Sequence, residues 1–176
     1  QSGAVKIEGF ATLGTLKDLN RHRSLERFIP LLHDEVDMDQ ELDRRNDECF
    51  YLCNYLDIPS LKNLKSEYKK ALSETYEMIR NWRNKAREYL SKDVCDEFTK
   101  YLLPHAHTTK YIMYGSFDDL QYVINLRIRN GGHIAYRVVV HEWLKELGMQ
   151  DPIWRGLQKR LKAPKVDDKF EFVDRS

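Results

Sequence analysis

The chain has 176 residues, of which 41% are hydrophobic and 32% are charged, and it contains 8 Gly and 5 Pro. This composition is typical of a globular protein with a charged surface, and it excludes a fibrous or largely disordered chain. The formal net charge of +1 gives no general attraction to nucleic acid. The length suits a single domain with its own hydrophobic core.

The start of the chain and its cysteines predict where the protein resides. No apolar run approaches the roughly 18–20 residues that a membrane span requires, and the start, Gln1-Ser2-Gly3-Ala4, has neither the basic nor the apolar region of a secretory signal. Because the first residue is not Met, we treat residues 1–3 as a cloning scar or a truncated start. Cys49 and Cys53, two of the 3 cysteines, lie one helical turn apart, which suits thiols on one face of a helix better than a standard zinc knuckle. We expect a cytoplasmic protein.

The first third of the chain is predicted to contain a strand, a helix and an acidic segment. Ala4–Phe10 alternates weakly in polarity and predicts an extended segment. Leucines spaced by three residues predict a helix from Thr12 to about Arg23, with cations at the end that the helix dipole favours. The segment from Asp34 to Glu48 carries eight acids and predicts a solvated loop that enters a helix, or alternatively a functional acidic patch.

The clearest helix is predicted from Ser60 to Leu90, with Ser60 as its N-cap. Its apolar stripe steps by three or four residues throughout. The stripe is predicted to contain Leu61, Leu64, Tyr68, Ala71, Thr75, Ile79, Trp82, Ala86 and Tyr89. A helix of this length with a continuous apolar stripe forms either a domain core or a contact between subunits.

A strand and two helices are predicted in the second half. His107–Tyr114 is rich in β-branched and aromatic residues and predicts a strand, after which Ser116 caps a helix from Phe117 to Arg129. A second helix, His133–Leu147, is apolar nearly all round and should be largely buried. We assign residues 4–150 to the domain and residues 151–176 to a basic C-terminal extension, which is either solvated or in contact with an anion.

Arg127 occupies an unusual place in the pattern of the helix that begins at Phe117. With Leu120, Val123 and Ile124 it completes the spacing i, i+3, i+4 and i+7, so that the arginine lies within the apolar stripe. A guanidinium keeps its charge, so either a carboxylate of the fold or an anionic ligand must meet it. Position alone leaves both interpretations open.

Two short windows of sequence resemble the flavin-dependent thymidylate synthases. One contains Lys100-Tyr101-Leu102-Leu103-Pro104, then Thr109, a strand, and a helix ending in Asn125-Leu126-Arg127. The other is Arg21-His22-Arg23, which matches the opening of the family's signature. The resemblance extends over about residues 15–147, and its specific residues lie in these two windows.

The resemblance implies an α+β fold with a central, mostly antiparallel sheet flanked by helices. It also implies reductive methylation of dUMP to dTMP with methylenetetrahydrofolate, NADPH and FAD in a homotetramer. Arg127 would contact and polarise the uracil ring as the catalytic residue, and Lys100, Arg21 and Arg23 would bind the nucleotide. His22, Arg23 and Ser116 would serve the cofactor. The chain resembles either a divergent member or one domain of a longer two-domain relative.

The chain departs from the family pattern where the flavin is expected. After Arg23 it lacks the family's Asn-Glu and the later Ser and Arg. The family's Asn and Arg after the strand fall at Ser116 and Asp118, and a second Asn falls at Tyr122. A carboxylate in place of an arginine repels a flavin diphosphate, so flavin binding is less expected than nucleotide binding.

Three functions therefore remain open. The first is the enzyme described above. The second is a non-catalytic domain of the same fold that binds a nucleotide or nucleic acid and has lost the flavin. The third is a metal site formed by histidines and a carboxylate, for which the candidates are His105, His107, His133, His141 and Glu142. Because no third ligand lies at a diagnostic spacing, we expect no metal.

Overall fold

A computed structural model describes residues 4–44, 56, 59–128, 134–160, 165–166 and 172–173. The described residues form both helices and strands, with 3₁₀ turns at Pro30–His33 and Pro59–Leu61. The helices are, in chain order, α1 (Leu13–Leu19), α2 (Met38–Asp43), α3 (Lys62–Ala86), α4 (Lys92–Leu102), α5 (Phe117–Arg127), α6 (Ile134–Gln150) and α7 (Pro152–Arg160). The strands are β1 (Ala4–Thr12), β2 (Glu26–Phe28), β3 (Thr108–Ser116), β4 (Lys165–Val166) and β5 (Phe172–Val173).

The main sheet has three antiparallel strands in the order β1-β3-β2, and a separate pair joins β4 to β5. Strand β2 pairs with β3 in a register that sets Arg27 opposite Met113 and Phe28 opposite Ile112. The α+β class predicted from the sequence is therefore confirmed, as is a strand over Thr108–Tyr114, which the structure extends to Ser116.

The described chain divides into two compact units. The first unit comprises Gln1–Gly9, Thr15–Phe28 and Tyr111–Ser176, and the second comprises Phe10–Gly14 and Ile29–Lys110. Among the described residues, no helix combines the length and apolarity needed to cross a membrane.

The core of the first unit is built on α6, which packs against α5 and α7. Val140 and Leu144 of α6 are completely buried, as the apolar pattern predicts. The helix ends at Gln150 rather than at Leu147, so the predicted stop before Gly148 was wrong. The Gly148 carbonyl accepts a bond of 2.8 Å from Arg155 Nε of α7, and this packing holds the last turn in helical form.

The second unit is built on α3, the longest helix in the described part of the chain, which packs against α4. The predicted N-cap at Ser60 was wrong, because Leu61 takes that position without a side-chain bond after the 3₁₀ turn. The helix ends at Ala86 instead of Leu90, since the chain turns there and Ser91 caps α4, a helix that the sequence pattern did not predict.

The buried face of α3 differs from the predicted stripe. Leu64, Ala71 and Tyr89 are exposed. The buried residues of this helix are Leu72, Tyr76, Ile79, Arg83 and Ala86. Two of them carry polar groups that have partners: Tyr76 bonds to His107, and Arg83 forms an ion pair with Asp96.

The acidic segment is not wholly solvated. Asp37 caps α2 by accepting bonds from the backbone N–H groups of Asp39 and Gln40 at 2.9 and 3.1 Å, which confirms that a loop enters a helix here. Glu41 is 8% exposed and accepts a bond of 2.8 Å with His107 Nε2. The part of this segment after Arg44 lies outside the described residues, as do Cys49 and Cys53.

Candidate functional site

The turn that follows α1 carries two outward cations and one inward histidine. The helix ends at Leu19, earlier than the predicted Arg23, because the next backbone N–H groups close a turn. In that turn the N–H of His22 bonds to the Leu19 carbonyl at 3.2 Å. Arg21 and Arg23 are exposed, whereas His22 is 8% exposed. The motif therefore offers its guanidinium groups to solvent and its imidazole to the protein.

Arg127, the last residue of α5, meets this histidine. Its Nε donates to Nε2 of His22 over 2.9 Å, and its guanidinium carbon lies 4.9 Å from the centre of the Tyr136 ring. The side chain is half-buried. Among the described residues, no carboxylate forms an ion pair with it. The structural ion pair that the sequence left open is therefore not seen in this part of the chain.

His22 must be neutral to accept this bond, with its proton on Nδ1. Burial lowers the pKa of His22, and the charges of Arg127 and Arg27 lower it further against an opposing effect of Asp18. The imidazole is therefore held in the state that fixes the direction of the Arg127 guanidinium.

Tyr136 forms the floor of the cluster. It is 1% exposed, and its ring stacks on the His22 ring with centres 6.0 Å apart and planes 16° apart. Its hydroxyl is buried without a hydrogen-bond partner of normal geometry among the described residues. Burial raises the pKa of Tyr136 well above its usual range, so the phenol stays neutral. An unused hydroxyl beside a guanidinium is suited to a polar ligand.

Lys100 belongs to the second unit and has acidic partners there. Its Nζ forms an ion pair with Asp34 and lies 3.8 Å from Oε2 of Glu97. Its side chain is 14% exposed. It borders a cavity of about 480 Å³ in which carboxylates outnumber ammonium groups. Nucleotide binding by Lys100 stays a prediction, and it would require the ammonium to leave Asp34.

Ser116 caps α5, as predicted. Its hydroxyl accepts from the N–H of Asp119 at 3.2 Å and lies 2.6 Å from Oδ2 of the same residue. Asp118, also in the first turn, is exposed. This helix end thus carries two carboxylates, and the predicted cofactor role of Ser116 stays a prediction.

Two of the histidines considered as metal ligands are accounted for, because His107 has other partners and His133 is not described. His107 is 2% exposed and is bonded at both nitrogens, to Tyr76 Oη at 2.5 Å and to Glu41 at 2.8 Å. His133 lies outside the described residues. Within the part that the structure describes, no group of three or more His, Cys, Asp or Glu side chains is arranged to hold a metal ion.

Two further residues near Arg127, Tyr136 and Arg27, were not predicted from the sequence. Another arginine of this unit, Arg137, is fully buried, and its Nε and Nη2 donate to the Ile128 carbonyl at 3.2 and 3.1 Å. Its place on a helix that is apolar nearly all round was the signal that could have found it.

The described part of the chain is thus a mixed helix-and-sheet fold in which His22 orients a guanidinium that pairs with none of the described carboxylates. The family model described as thymidylate synthase complementing protein matches residues 11–153, and the chain belongs to this family.

A solved structure of thymidylate synthase X from Helicobacter pylori, with FAD and dUMP at 2.31 Å resolution, is also similar. It shares 16% sequence identity at a TM-score of 0.47, and the match covers 81% of this chain and 65% of that chain. This chain thus spans about two thirds of the length of that protein. No curated protein sequence matches this chain.

Proposed function

We propose that this chain binds a deoxyuridylate-type pyrimidine nucleotide at the cluster of His22, Arg127 and Tyr136. The nucleotide would be the substrate of the family's reductive methylation of dUMP to dTMP, with methylenetetrahydrofolate and NADPH as cosubstrates in a homo-oligomer. The observation that carries the proposal is the bonding of Arg127, a half-buried guanidinium that is oriented by a neutral imidazole and pairs with no carboxylate among the described residues.

Arg127 carries a positive charge that it cannot lose at any accessible pH. A guanidinium has five N–H donors, and His22 occupies one of them. The remaining donors suit a ligand with planar acceptors, such as the carbonyl oxygens of a uracil ring. In the proposed reaction, Arg127 would stabilise negative charge as it develops on the pyrimidine. Tyr136 would offer its hydroxyl to the same ligand.

The exposed guanidinium groups of the turn supply a second element of recognition. Arg21 and Arg23 flank His22 and have no ion-pair partner among the described residues. Because arginine binds phosphate through two parallel bonds, these side chains are suited to the nucleotide's phosphate group. A nucleotide would thus have its base at Arg127 and its phosphate at the rim of the turn.

The flavin fits this chain less well than the nucleotide does. The resemblance places a flavin-binding arginine at Asp118, where the structure has a carboxylate beside that of Asp119 at the start of α5. The two carboxylates already satisfy the positive end of the helix dipole, and they repel a diphosphate. This observation favours a second candidate function, a nucleotide-binding domain that has lost the flavin.

Two measurements on the purified protein test these proposals. Isothermal titration with dUMP should give saturable heat, and deoxyuridine, which lacks the phosphate, should bind more weakly. Absence of dUMP binding would overturn the proposed site. The visible spectrum and an assay for dTMP formation then separate the candidates, because an enzyme should be yellow and productive, whereas the binding domain should be colourless and inactive even with added FAD.

A further inference from the structure

We propose that Arg27 is a positioning residue for the nucleotide site. It fixes the turn that carries Arg21, His22 and Arg23, and through His22 it fixes Arg127. This inference rests on the function proposed above for that site.

The Arg27 side chain bonds to three points of one turn. Its Nε donates to Oδ1 of Asn20 over 3.0 Å, and its Nη1 donates to the carbonyl oxygens of His22 and of Leu25, the latter over 3.3 Å. These acceptors stand at the beginning, in the middle and at the end of the turn. We call this set of three bonds the Arg27 clamp.

The base of the clamp is held by the sheet. Arg27 lies in β2, where its backbone pairs with Met113 of β3, and Met113 is 1% exposed. The guanidinium therefore extends from a fixed strand back over the preceding turn. A planar fork of donors reaches several acceptors with less loss of side-chain entropy per bond than a flexible ammonium does.

The turn needs this support because its own backbone bonds are long. The N–H of His22 bonds to the Leu19 carbonyl at 3.2 Å, and the N–H of Leu25 bonds to the His22 carbonyl at 3.3 Å. The His22 carbonyl is thus an acceptor for both Leu25 and Arg27. Fixing this peptide group fixes the Cα of His22, from which the imidazole reaches Nε of Arg127.

The charge of Arg27 acts in the same direction. The pKa of His22 is lowered first by burial, then by Arg127 and by Arg27. Arg27 therefore places the imidazole and also favours the neutral form that accepts from Arg127. The two effects can be separated, because lysine at position 27 would keep the charge and lose the forked geometry.

The test compares the wild type with Arg27→Lys and Asn20→Ala. Arg80→Lys is the matched control, since Arg80 is also half-buried and donates to one backbone carbonyl, that of Leu42 at 2.7 Å. The first readout is the Kd for dUMP. We expect Arg27→Lys to raise it about tenfold, the loss typical of a charged hydrogen bond. Asn20→Ala should raise it by a smaller factor, and Arg80→Lys should leave it unchanged.

The second readout is the NMR signal of the His22 imidazole, which does not depend on a ligand. The clamp predicts that both turn variants shift or broaden this signal at constant pH, whereas Arg80→Lys does not. If Arg27→Lys does not fold, Asn20→Ala decides, because it changes no charge and removes one contact of the clamp.

The outcomes separate the two proposals. If the wild type binds dUMP and both turn variants bind it within twofold, the Arg27 inference is wrong and the nucleotide site stands. If the wild type does not bind dUMP, the proposed function is wrong. The imidazole signal then decides on the clamp alone: an unchanged signal in both variants overturns it, and a changed signal supports it.

Discussion

Arg127 and His22 are joined by a hydrogen bond of 2.9 Å in which the arginine Nε donates to the imidazole Nε2. Arginine keeps its proton at all accessible pH values, so the histidine must supply the lone pair. The bond therefore exists while His22 is neutral and is lost when His22 is protonated. This relationship makes both the stability of the first unit and the direction of the guanidinium depend on pH.

We expect the stability of the protein to decrease as the pH falls below about 6.5, the ordinary pKa of a histidine. Burial, Arg127 and Arg27 lower the pKa of His22 in the folded state, so between the two pKa values the unfolded chain binds more protons. The stabilising contribution is fully present above the unfolded pKa and is lost as the pH falls through the folded pKa. Urea unfolding at a series of pH values measures this slope.

The variant His22→Gln isolates the contribution of His22, because an amide oxygen accepts from Arg127 without titrating. We expect a smaller slope for this variant between pH 7 and acidic pH than for the wild type. His141→Gln is the control, since burial also lowers the pKa of His141. This variant should keep the contribution of His22 to the pH dependence of the free energy of unfolding. An unchanged slope in His22→Gln would contradict the assignment.

Replacing Arg127 with Ala should weaken dUMP binding about 10- to 100-fold, because it removes charged hydrogen bonds to the ligand. The free energy of unfolding should fall by about 1–2 kcal/mol, the cost of leaving the His22 acceptor without its donor. Breaking a buried ion pair would cost about 3–5 kcal/mol instead. Titration calorimetry and urea unfolding measure the two effects.

Lys17→Ala is a suitable control for Arg127→Ala, since Lys17 is exposed on α1 and its loss removes the same charge. It should bind dUMP like the wild type. If Arg127→Ala lost several kcal/mol of stability and kept its affinity, Arg127 would have a structural role, and the proposed catalytic role would be wrong.

Local signals in the sequence predicted local structure well. Ser116 as the cap of α5, the strand at Thr108 and the buried face of α6 all follow from nearest neighbours and from periodicity. The family follows from the order of two short windows, and the family model confirms it.

The parts that were missed depend on partners distant in sequence. Apolar periodicity assigns arginine to the surface, so it could not place Arg83 within the buried stripe of α3, where Asp96 compensates its charge. Lys100 pairs with Asp34 across 66 positions, and no spacing rule links them. Arg27 lies in a strand of three residues, which is too short to show an alternation of polar and apolar side chains. Its role depends on bonds to the preceding turn, which no periodicity reveals.

The variant Asp118→Arg should increase the affinity for FAD. The change exchanges a repulsive carboxylate for a donor at the first turn of α5. It should also cost about 0.3–1 kcal/mol of stability, because a cation at a helix N-terminus opposes the dipole. Quenching of flavin fluorescence on titration measures the affinity.

Asp93→Arg, the same change in the first turn of α4, is the control and should gain no affinity for FAD. Equal affinities in the two variants would count against a flavin role for position 118.

Arg83→Met should lower the free energy of unfolding by about 3–5 kcal/mol, the usual effect of removing one member of a buried ion pair. The Arg83 side chain is 4% exposed, and its Nη2 lies 2.6 Å from Oδ1 of Asp96. Its Nε bonds to Asp39 at 3.1 Å, and its Nη1 bonds to Thr99 Oγ1 at 3.1 Å. Guanidinium chloride unfolding at neutral pH measures the loss.

Arg87→Met provides the matched comparison, because Arg87 pairs with the same oxygen of Asp39, Oδ1, but its side chain is 43% exposed. Solvent screens its ion pair, so its removal should cost less than about 1 kcal/mol. The two substitutions remove the same charge and share Asp39 as a partner, so their difference reports the burial of the pair with Asp96. If both variants lost the same stability, burial would not be what makes Arg83 important, and the packing of α3 against α4 would have to rest on its apolar residues.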